Sequence, residues 1–470
     1  MKNYKAICIL LCIVLLTGMF SVSATETQVP STETDISVTQ GFHSLDASYA
    51  LLGSGQLVDN AKSAFLYEAH SDTLMYMWNP DTQLDPASFA KIMTGLVAVE
   101  QGVLTDAVTV KQSVLDTINL GAASSKLLAD EVMVLEDLLY CMLVGSGNDA
   151  AAVIADHIAG SEGEFVALMN ARALELGCTN TQYANPHGLP SKNQYTTARD
   201  TVKVLAAAME NETLAKMLGT VYYTVPVTNK TPEERNLVSG NHLICQDEME
   251  IYFDERVIAG RTGTDSQGLQ CLAAVAEDND MCLISVVMGS ESFYRENGSL
   301  DVAGGYTETR TLLDTGFNGF KAVQLLYDGQ ILLQREVVDG ASKVSLGAAV
   351  SVSTVLPDDL SVNQLSFRYT NMDVALNAPI EKGAVLCDVE IWNGSFCVAQ
   401  AELYAMNKVD KAPPLLVARQ KTTSAWLIVL IVVLSLIVVA AVTVLILRYR
   451  RRIRRMFMKL SRRHKRNRRG

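Results

Sequence analysis

Two residues in the first part of the chain, Ser88 and Lys91, have the types and the spacing that nucleophilic catalysis needs. They stand three apart at the start of the first long helical pattern, so both side chains would share one helix face. A serine hydroxyl is a weak nucleophile near neutral pH, but a partly buried amine beside it can take its proton. First-turn backbone N–H groups have no intrahelical partner and could stabilise an oxyanion. Alone, the pair could equally be a helix-capping serine with a surface lysine.

Two further stretches could complete such a site. Ser146 and Asn148 follow an apolar run over residues 135–144 and would supply a hydroxyl for proton relay and an amide that orients Lys91. In residues 260–264 an arginine and a threonine stand between glycines. On an edge strand this stretch would let a peptide lie alongside while its terminal carboxylate meets the positive charge. Each stretch by itself is also typical of a polar turn.

The three stretches together form the ordered pattern Ser-x-x-Lys, Ser-x-Asn and basic-Thr-Gly. With them, the sequence resembles the low-molecular-weight penicillin-binding proteins, serine-type D-alanyl-D-alanine carboxypeptidases, over about residues 45–410. The other matching segments are 146–151, 165–166, 168–170, 176–177, 185–189, 197–200, 378–380 and 382–383. The resemblance implies removal of the terminal D-alanine from peptidoglycan stem pentapeptides through an acyl-enzyme, with β-lactams as inhibitors and no cofactor.

The resemblance implies a role for each catalytic candidate. Ser88 would attack the carbonyl of the D-Ala-D-Ala bond, and Lys91 would take the serine proton. Ser146 would relay a proton to the departing D-alanine amine, while Asn148 would orient Lys91 and contact the substrate. Water would then release the acyl-enzyme, whereas a β-lactam would acylate the same serine and leave slowly.

The resemblance also implies that Arg261, Thr262, Gly263 and Thr264 bind the substrate. Arg261 and Thr262 would hold the terminal carboxylate, and the backbone N–H groups of Ser88 and Thr264 would form the oxyanion hole. The family usually has lysine where this chain has Arg261. Arginine supplies the positive charge but does not give up its proton during turnover. We therefore expect substrate recognition to survive and the substitution to bear on the turnover rate.

The elements that must position these residues follow an α+β pattern. The predicted strands cover residues 62–69, 74–78, 269–275 and 281–288, and the predicted helices cover 88–101, 134–144 and 165–176. A helix-rich middle between strand-rich ends predicts one antiparallel sheet built from both ends of the domain. The resemblance implies a β-lactamase/transpeptidase-like domain, with helices on both faces of that sheet and a helical subdomain. His187, in the segment 185–189, is interpreted as part of a structural loop, because Asn-Pro and His-Gly are turn dipeptides.

Beyond residue 320 the pattern changes to short strands separated by Asp328-Gly329, Asp339-Gly340 and Asn393-Gly394, dipeptides that favour tight hairpin turns. This predicts a separate, small all-β domain with a sandwich-like architecture. The predicted organisation is a signal peptide at 1–24, a flexible leader at 25–43, the catalytic domain at 44–318, the all-β domain at 319–410, a linker at 411–424, a transmembrane helix at 425–447 and a basic cytoplasmic tail at 448–470.

Charge is distributed unevenly along the chain. The net charge is −12, from 51 acidic and 39 basic residues, yet 13 of the basic residues and no acidic residue follow residue 447. An acidic body excludes nucleic acid as a partner, since phosphate binding needs clustered cations. The uncharged stretch 425–447 is long enough to cross a bilayer, and the basic tail then predicts a cytoplasmic C-terminus and an extracellular catalytic domain at the plasma membrane of a bacterial envelope. The tail could bind anionic lipid or act only as a stop-transfer signal.

Other classes of site and activity are weighed against this interpretation. Seven widely spaced cysteines between residues 25 and 424 suggest neither a disulfide framework nor a zinc site, and the histidines form no helical metal-binding pair, so no metal is expected. A serine β-lactamase would share the three motifs, but no ExxLN segment lies between Asn148 and Arg261. A slow penicillin-binding sensor or scaffold protein, in which Arg261 preserves binding, is the other alternative.

Overall fold

The computed structural model describes residues 50–52, 55–119, 121–247, 250–294, 300–394, 396–413 and 425–466. The predicted signal peptide, the flexible leader, most of the predicted linker and the end of the basic tail lie outside these residues. The chain divides into two compact units. The first comprises residues up to Leu325 together with Ser353–Gln364, and the second comprises Leu326–Val352 together with the residues from Leu365 onward.

The first unit contains both helices and strands, with successive helices over residues 135–218 between its strands, whereas the described residues of the second unit form strands followed by a long helix. The helices of the described residues are α1 Ala90–Gln101, α2 Gln112–Leu115, α3 Leu135–Leu143, α4 Asn148–Ala159, α5 Glu162–Glu175, α6 Ala198–Glu210, α7 Glu212–Leu218, α8 Gly304–Gly319 and α9 Ala425–Arg466. The strands are β1 Ser63–Glu68, β2 Thr73–Trp78, β3 Ala107–Thr109, β4 Val132–Val134, β5 Tyr222–Val225, β6 Arg235–Val238, β7 Val257–Thr264, β8 Gln270–Asp278, β9 Met281–Ser290, β10 Phe293–Tyr294, β11 Leu300–Val302, β12 Phe320–Leu326, β13 Ile331–Arg335, β14 Val337–Val338, β15 Val344–Ala348, β16 Val352–Pro357, β17 Ser366–Tyr369, β18 Leu376–Asn377, β19 Val385–Asn393 and β20 Phe396–Ala405.

A five-stranded antiparallel sheet in the order β2-β1-β9-β8-β7 lies at the centre of the first unit. Its strands come from both ends of the domain, as the sequence predicts. Successive residues of a strand face opposite sides, so Phe65 and Tyr67 join one hydrophobic core while Ala64 and Leu66 join the other. Every residue of the central strand β9 is buried. Among the described strands β7 pairs only with β8, and it therefore forms an edge of the sheet.

Helices cover both faces of this sheet, which confirms the α+β prediction. α8 packs on the face of β8 and β9 that belongs to one core, and α6 packs on the face that belongs to the other. α1 lies among α3, α4, α5, α6 and α7, and all of its residues from Ala90 to Ala98 are buried. A helix enclosed in this way can place a polar side chain out of contact with water. The predicted helix over 88–101 is confirmed, except that its first turn is the 3₁₀ turn Ala87–Phe89.

A buried ion pair fastens the β5–β6 hairpin to the segment before β4. The carboxylate of Glu131 is fully buried and accepts bonds of 2.7 and 2.8 Å from Nη2 of Arg235, together with hydroxyl bonds from Thr228 and Thr231. Burial alone would raise the pKa of Glu131, but the bonds from Thr228 and Arg235 outweigh it and hold the pKa below its usual value. The ionised carboxylate therefore contributes to the stability of this region.

The second unit contains a five-stranded sheet in the order β13-β15-β20-β19-β17 and a parallel pair formed by β14 and β18. The prediction of an all-β domain is confirmed. Asn393-Gly394 joins β19 to its antiparallel neighbour β20, as predicted. The prediction of hairpins at Asp328-Gly329 and Asp339-Gly340 was wrong, because β13 pairs with β15 and β14 pairs with β18. A turn dipeptide indicates where the chain reverses, but the choice of partner strand depends on residues far along the chain.

The cysteines of the described residues are free thiols. Six of them are buried and Cys397 is half-buried. Burial raises the pKa of Cys141, Cys271 and Cys282 to about 12. These three thiols therefore behave as small apolar side chains within one hydrophobic core.

The last described helix, α9, extends over 42 residues. Its segment Trp426–Met456 is long and apolar enough to cross a membrane, by length and composition. At about 1.5 Å per residue the whole helix measures about 63 Å, roughly twice the hydrocarbon thickness of a bilayer. The predicted span 425–447 lies within this helix, which continues without a break into the basic segment.

Replacing Glu131 with Gln is expected to lower the free energy of unfolding by roughly 3–5 kcal/mol at pH 7, because the largely buried Arg235 loses its charge partner. The folded-state pKa of Glu131 lies below the ordinary value of 4.5, so the stabilisation is present above that value and is lost as the pH falls through the folded-state pKa. Urea unfolding at pH 7 and pH 3 measures the difference. A double variant Glu131→Gln with Arg235→Met should recover much of the loss, and a difference between parent and Glu131→Gln that stays constant down to pH 3 would contradict this account.

Candidate active site

The serine of the first motif lies in the 3₁₀ turn Ala87–Phe89, directly before α1. Ala87 has a φ of +46°, in the left-handed region that few non-glycine residues adopt. The chain therefore turns sharply just before Ser88. Ser88 lines a cleft of about 510 Å³. This turn places the serine hydroxyl in the wall of the cleft, within reach of a bound peptide.

Two glycines allow other segments to approach this turn closely. Gly188 has a φ of +81°, and a Cβ atom there would lie 1.7 Å from the carbonyl oxygen of Ala87. A Cβ atom on Gly263 would lie 3.0 Å from both the backbone nitrogen of Ser88 and the Cβ of Ala87. The loop that carries Gly188 and the edge strand β7 thus enclose the serine from two sides, and only glycine fits at residue 188.

The amine of Lys91 is the most enclosed polar group of the cleft. Its Nζ lies 2.7 Å from Oδ1 of Asn148, 2.6 Å from the carbonyl oxygen of His187 and 3.3 Å from Oγ of Ser88. Only 1% of the residue is exposed. Three segments distant in sequence therefore meet at one nitrogen atom.

Burial lowers the pKa of Lys91 well below its usual value of 10.5; the charge of Arg261 lowers it further and the carboxylate of Asp149 opposes the shift. These effects favour the neutral amine, which has two hydrogens and one lone pair. The oxygens of Asn148 and His187 can accept both hydrogens, and the lone pair then faces Oγ of Ser88. This is the arrangement that a general base requires.

The second motif lies at the start of α4. Asn148 is buried; its Oδ1 accepts the bond from Lys91, while its Nδ2 donates to the carbonyl oxygen of Ala123 at 2.9 Å. Ser146 adopts a left-handed backbone conformation with a φ of +58°, and it lines the cleft together with Asn148. The carboxylate of Asp149 accepts the backbone N–H groups of Ser125 and Leu127 and so fixes the loop that carries Ala123.

Arg261 lies behind the cleft and does not belong to its lining. The guanidinium donates to the carbonyl oxygen of Leu143 and, at 2.6 Å, to Oγ of Ser146. The residue is 5% exposed, its Nε has no hydrogen-bond partner, and no carboxylate of the described residues pairs with it. Burial lowers the pKa of Arg261 to about 10. A buried cation without an anionic partner leaves a positive potential beside Ser146.

The residues after Arg261 lie on the exposed edge of the sheet. Thr262, Gly263 and Thr264 line the cleft along β7, whose outer side has no strand neighbour among the described residues. The close approach of Gly263 to the backbone nitrogen of Ser88 brings the N–H groups of the 3₁₀ turn beside this edge. An extended peptide could add to β7 as a further strand and present one of its carbonyl groups to Ser88.

The structure brings the predicted site residues together at one cleft. Only the placement of Arg261 differs from the prediction, because this residue lies behind the cleft and not in its lining. Ser88, Lys91, Ser146 and Asn148 line one cleft with the residues Thr262, Gly263 and Thr264. Arg261 reaches the same place from behind, through its bond to Ser146.

Sequence reasoning missed one partner of the base. The carbonyl oxygen of His187 accepts a bond from Lys91, and its loop is tied to α1 by a 2.6 Å bond from Thr94 Oγ1 to the carbonyl oxygen of Pro186. The interpretation of residues 185–189 as a structural loop omitted this contact with the base. The glycine at residue 188 indicated that another segment approaches closely. The bond to Lys91 could not be predicted, because every residue has a backbone carbonyl and the residue type does not show which one is used.

Possible metal-binding side chains lie elsewhere in the described residues. The ligand atoms of His70, Glu277 and Cys282 lie within 4.8 Å of one another, and none of these residues lines the cleft.

The cleft combines three features. The hydroxyl of Ser88 lies beside the desolvated amine of Lys91, the hydroxyl of Ser146 is bonded to the buried Arg261, and the edge strand β7 is available to a peptide. This arrangement is suited to acyl transfer from a peptide carbonyl to serine.

Comparison with known protein families gives two matches, one after the other along the chain. Residues 54–292 match the family described as D-alanyl-D-alanine carboxypeptidase, and residues 320–411 match the penicillin-binding protein 5 C-terminal domain.

Individual relatives match over most of the chain. The chain is 30% identical to D-alanyl-D-alanine carboxypeptidase DacC of Escherichia coli over 369 residues, which covers 75% of this chain and 85% of that protein. It is 28% identical to D-alanyl-D-alanine carboxypeptidase DacF of Bacillus subtilis, with 76% and 88% covered. Penicillin-binding protein 5 from Haemophilus influenzae has a similar structure, with a TM-score of 0.65 at 29% identity, covering 76% of this chain and all of that one.

Replacing Gly188 with Ala is expected to displace the turn that carries Ser88, because the added Cβ would meet the carbonyl oxygen of Ala87. We expect acylation by a fluorescent penicillin to slow by at least about 10²-fold, since small misplacements of a nucleophile have effects of this size. Gly160→Ala is the matched control: Gly160 has a similar φ of +78° but no atom within 4 Å of its added Cβ. Equal acylation rates in the two variants would show that the contact with Ala87 is unimportant.

Proposed function

The chain belongs to the D-alanyl-D-alanine carboxypeptidase family, and on that premise we propose that Ser88 is the nucleophile with which it removes the terminal D-alanine of peptidoglycan stem pentapeptides. It is a serine-type peptidase of the cell wall and a penicillin-binding protein. The observation that carries the assignment of Ser88 is the position of the Lys91 amine, 3.3 Å from Oγ of the serine and bonded on its other sides to two carbonyl oxygens.

The first chemical step is acylation of Ser88. The hydroxyl proton passes to the lone pair of Lys91 as Oγ forms a bond to the carbonyl carbon of the penultimate D-alanine. The resulting oxyanion accepts hydrogen bonds from the backbone N–H groups of Ser88 and Thr264. The approach of β7 to the serine turn at Gly263 supports this assignment, because it brings the two N–H donors to the same side of the cleft.

The second step breaks the peptide bond. As the carbon–nitrogen bond breaks, the departing amine takes the proton of Ser146, and Ser146 regains one from the Lys91 ammonium. Since Oγ of Ser146 accepts a bond from Arg261, its own hydrogen is available to be donated. Water then attacks the ester and gives a proton to Lys91. Lys91 passes that proton to Oγ of Ser88 as the ester bond breaks, so the shortened peptide is released and the neutral amine is restored. With a β-lactam the amine stays attached to the acyl group and the ester is released slowly.

The terminal carboxylate of the substrate is bound beside Thr262 and Arg261. Thr262 offers its hydroxyl directly to the cleft, whereas Arg261 contributes its charge from behind Ser146. An arriving carboxylate would supply the anion that the buried guanidinium lacks. The bond from Arg261 to Ser146 supports a proposal for what arginine changes at a position where the family usually has lysine. The group beside Ser146 keeps its charge throughout turnover, so Lys91 alone carries the proton.

The rest of the chain supports the proposal that this domain is held at a membrane. A C-terminal apolar helix fits a membrane anchor for a protein of this family. We propose that α9 spans the plasma membrane over residues 425–447, that residues 448–470 lie in the cytoplasm, and that the catalytic domain 44–318 and the all-β domain 319–410 lie outside. The 13 basic residues after residue 447 support this orientation.

Release of D-alanine from a pentapeptide ending in D-Ala-D-Ala tests the activity in the detergent-solubilised full chain. We expect Ser88→Ala to reduce the release by at least about 10³-fold and to abolish penicillin labelling. Persistent release by Ser88→Ala would overturn the assignment of the nucleophile. Penicillin labelling of the parent without release would support a sensor instead, and rapid penicillin hydrolysis would support a β-lactamase.

The pH dependence of acylation tests the role of Lys91 as the base. The acylation rate should fall as the pH is lowered and Lys91 becomes protonated, because a protonated amine cannot accept the serine proton. This fall is the acidic limb of the pH–rate profile. Arg261→Gln removes a charge that lowers the pKa of Lys91, so the acidic limb should move to higher pH. Arg261→Lys keeps a charge and should leave the limb near that of the parent. Stopped-flow acylation between pH 5 and pH 9 measures the limb, and one common limb for all three proteins would contradict this mechanism.

A further inference from the structure

One wall of the cleft is built from three rings, His242, Tyr252 and Tyr306, which together are named the aromatic wall. The rings of Tyr252 and Tyr306 stack with centroids 4.8 Å apart, and the ring of His242 lies 5.6 Å from that of Tyr306. The two tyrosines are only 6% and 8% exposed. The cleft therefore has one wall of closely packed rings in addition to its polar catalytic groups.

Hydrogen bonds hold this wall in place. The hydroxyl of Tyr306 donates to the carbonyl oxygen of Gly240 at 3.0 Å and accepts the backbone N–H of His242 at 3.4 Å. The hydroxyl of Tyr252 accepts the backbone N–H of Ala303 at 2.9 Å. Each tyrosine therefore has its ring packed and its hydroxyl bonded. Neither ring can rotate away from the cleft without breaking a partly or fully buried hydrogen bond.

The alternation of β7 places the wall beside one particular part of a bound peptide. Gly263 faces Ser88, so its neighbour Thr262 faces the opposite side of the strand. A Cβ atom on Gly240, next to the wall, would lie 3.8 Å from Oγ1 of Thr262. The wall thus lies on the side of Thr262, where the proposed function places the terminal carboxylate of the substrate.

We propose that the aromatic wall is the subsite for the side chain of the residue that is removed, and that it limits this side chain to about the size of a methyl group. The proposal rests on the proposed function, since it takes the terminal carboxylate to lie beside Thr262. With its carboxylate held there, the leaving residue has its α-carbon between Thr262 and the rings. A methyl group would fit against this wall, and a branched or aromatic side chain would collide with the two tyrosines, which their hydrogen bonds hold in place.

The electrostatics of this end of the cleft agree with a carboxylate at that position. Arg261 supplies positive charge without a carboxylate partner among the described residues. The first turn of α8 also lines the cleft at Gly305 and Tyr306, and the positive end of a helix dipole favours an anion. The wall and the charges together describe a subsite for a small residue with a free C-terminus.

A panel of pentapeptides that differ only in the last residue, D-Ala, D-Ser, D-Leu or D-Phe, tests the proposal with the full chain in detergent. The parent should release D-Ala and D-Ser with similar kcat/KM and should release D-Leu and D-Phe at least about 10-fold less well. Tyr306→Ala should raise the ratio of D-Leu to D-Ala release by at least about 10-fold. Tyr306→Phe keeps the ring and should keep the parent's ratio.

Controls distinguish a failure of this proposal from a failure of the proposed function and from misfolding of a variant. Tyr222→Ala, at an exposed tyrosine outside the cleft, should leave all ratios unchanged. A second panel, varied only at the third residue of the peptide, should respond equally in parent and Tyr306→Ala. A shift of that second panel instead of the first would overturn the proposal, as would an unchanged D-Leu to D-Ala ratio in a Tyr306→Ala protein that still binds penicillin. Absence of D-alanine release by the parent would instead overturn the proposed function.

Discussion

The exclusion of water from the amine of Lys91 is the constraint on which the rest of the first unit depends. An ammonium ion would be costly to bury on α1, whose neighbours are helices on every side. The neutral amine costs less, and two carbonyl oxygens satisfy its hydrogens. Both oxygens are themselves fixed, one by the start of α4 and the other by the loop that Thr94 ties to α1. Reactivity thus follows from packing: the same enclosure that removes solvent leaves the lone pair directed at a hydroxyl.

Lys91 and Arg261 are both buried basic side chains, but burial affects their charges differently. Lys91 lies where burial favours loss of its charge, whereas arginine has so high an intrinsic pKa that Arg261 keeps its charge even when burial lowers the pKa to about 10. The charged group is therefore the one behind Ser146, and the uncharged group is the one beside Ser88. Each depends on the other, since the charge on Arg261 helps to keep Lys91 neutral. A lysine at residue 261 would share this effect without the planar geometry that reaches both Leu143 and Ser146.

Much of this site could be predicted from the sequence because its side chains carry distinctive chemistry at distinctive separations. Ser88, Lys91, Ser146 and Asn148 were predicted to meet, and they line one cleft. The edge position of residues 261–264 also agrees with the prediction, because glycines beside a cation suit a strand that another peptide approaches. The inward direction of Arg261 could not be predicted, since it depends on the carbonyl oxygen of Leu143 at the end of α3. The role of His187 was hidden for the same reason, as its contact is made by the backbone.

The fold shows the same division between local and distant information. Hydrophobic periodicity located the strands of the central sheet and the helix α1, because a buried face recurs at regular intervals in the sequence. The pairing of strands in the second unit could not be predicted from this periodicity. Asp328-Gly329 has the composition of a hairpin turn, but the strand that follows it pairs with one beyond the next turn. Local residue preference and register are separate properties, and only the first can be read from a dipeptide.

The reactivity of the free cysteines depends on whether the protein is folded. Because burial raises their pKa to about 12, the thiols of Cys141, Cys271 and Cys282 stay protonated near pH 7. Folded molecules are therefore slow to react with oxidants or alkylating reagents at these positions, whatever the redox state of their surroundings. Once the core that contains them opens, the same thiols return to ordinary reactivity and can pair wrongly with one another. Folding of this core therefore protects the thiols as well as stabilising the chain.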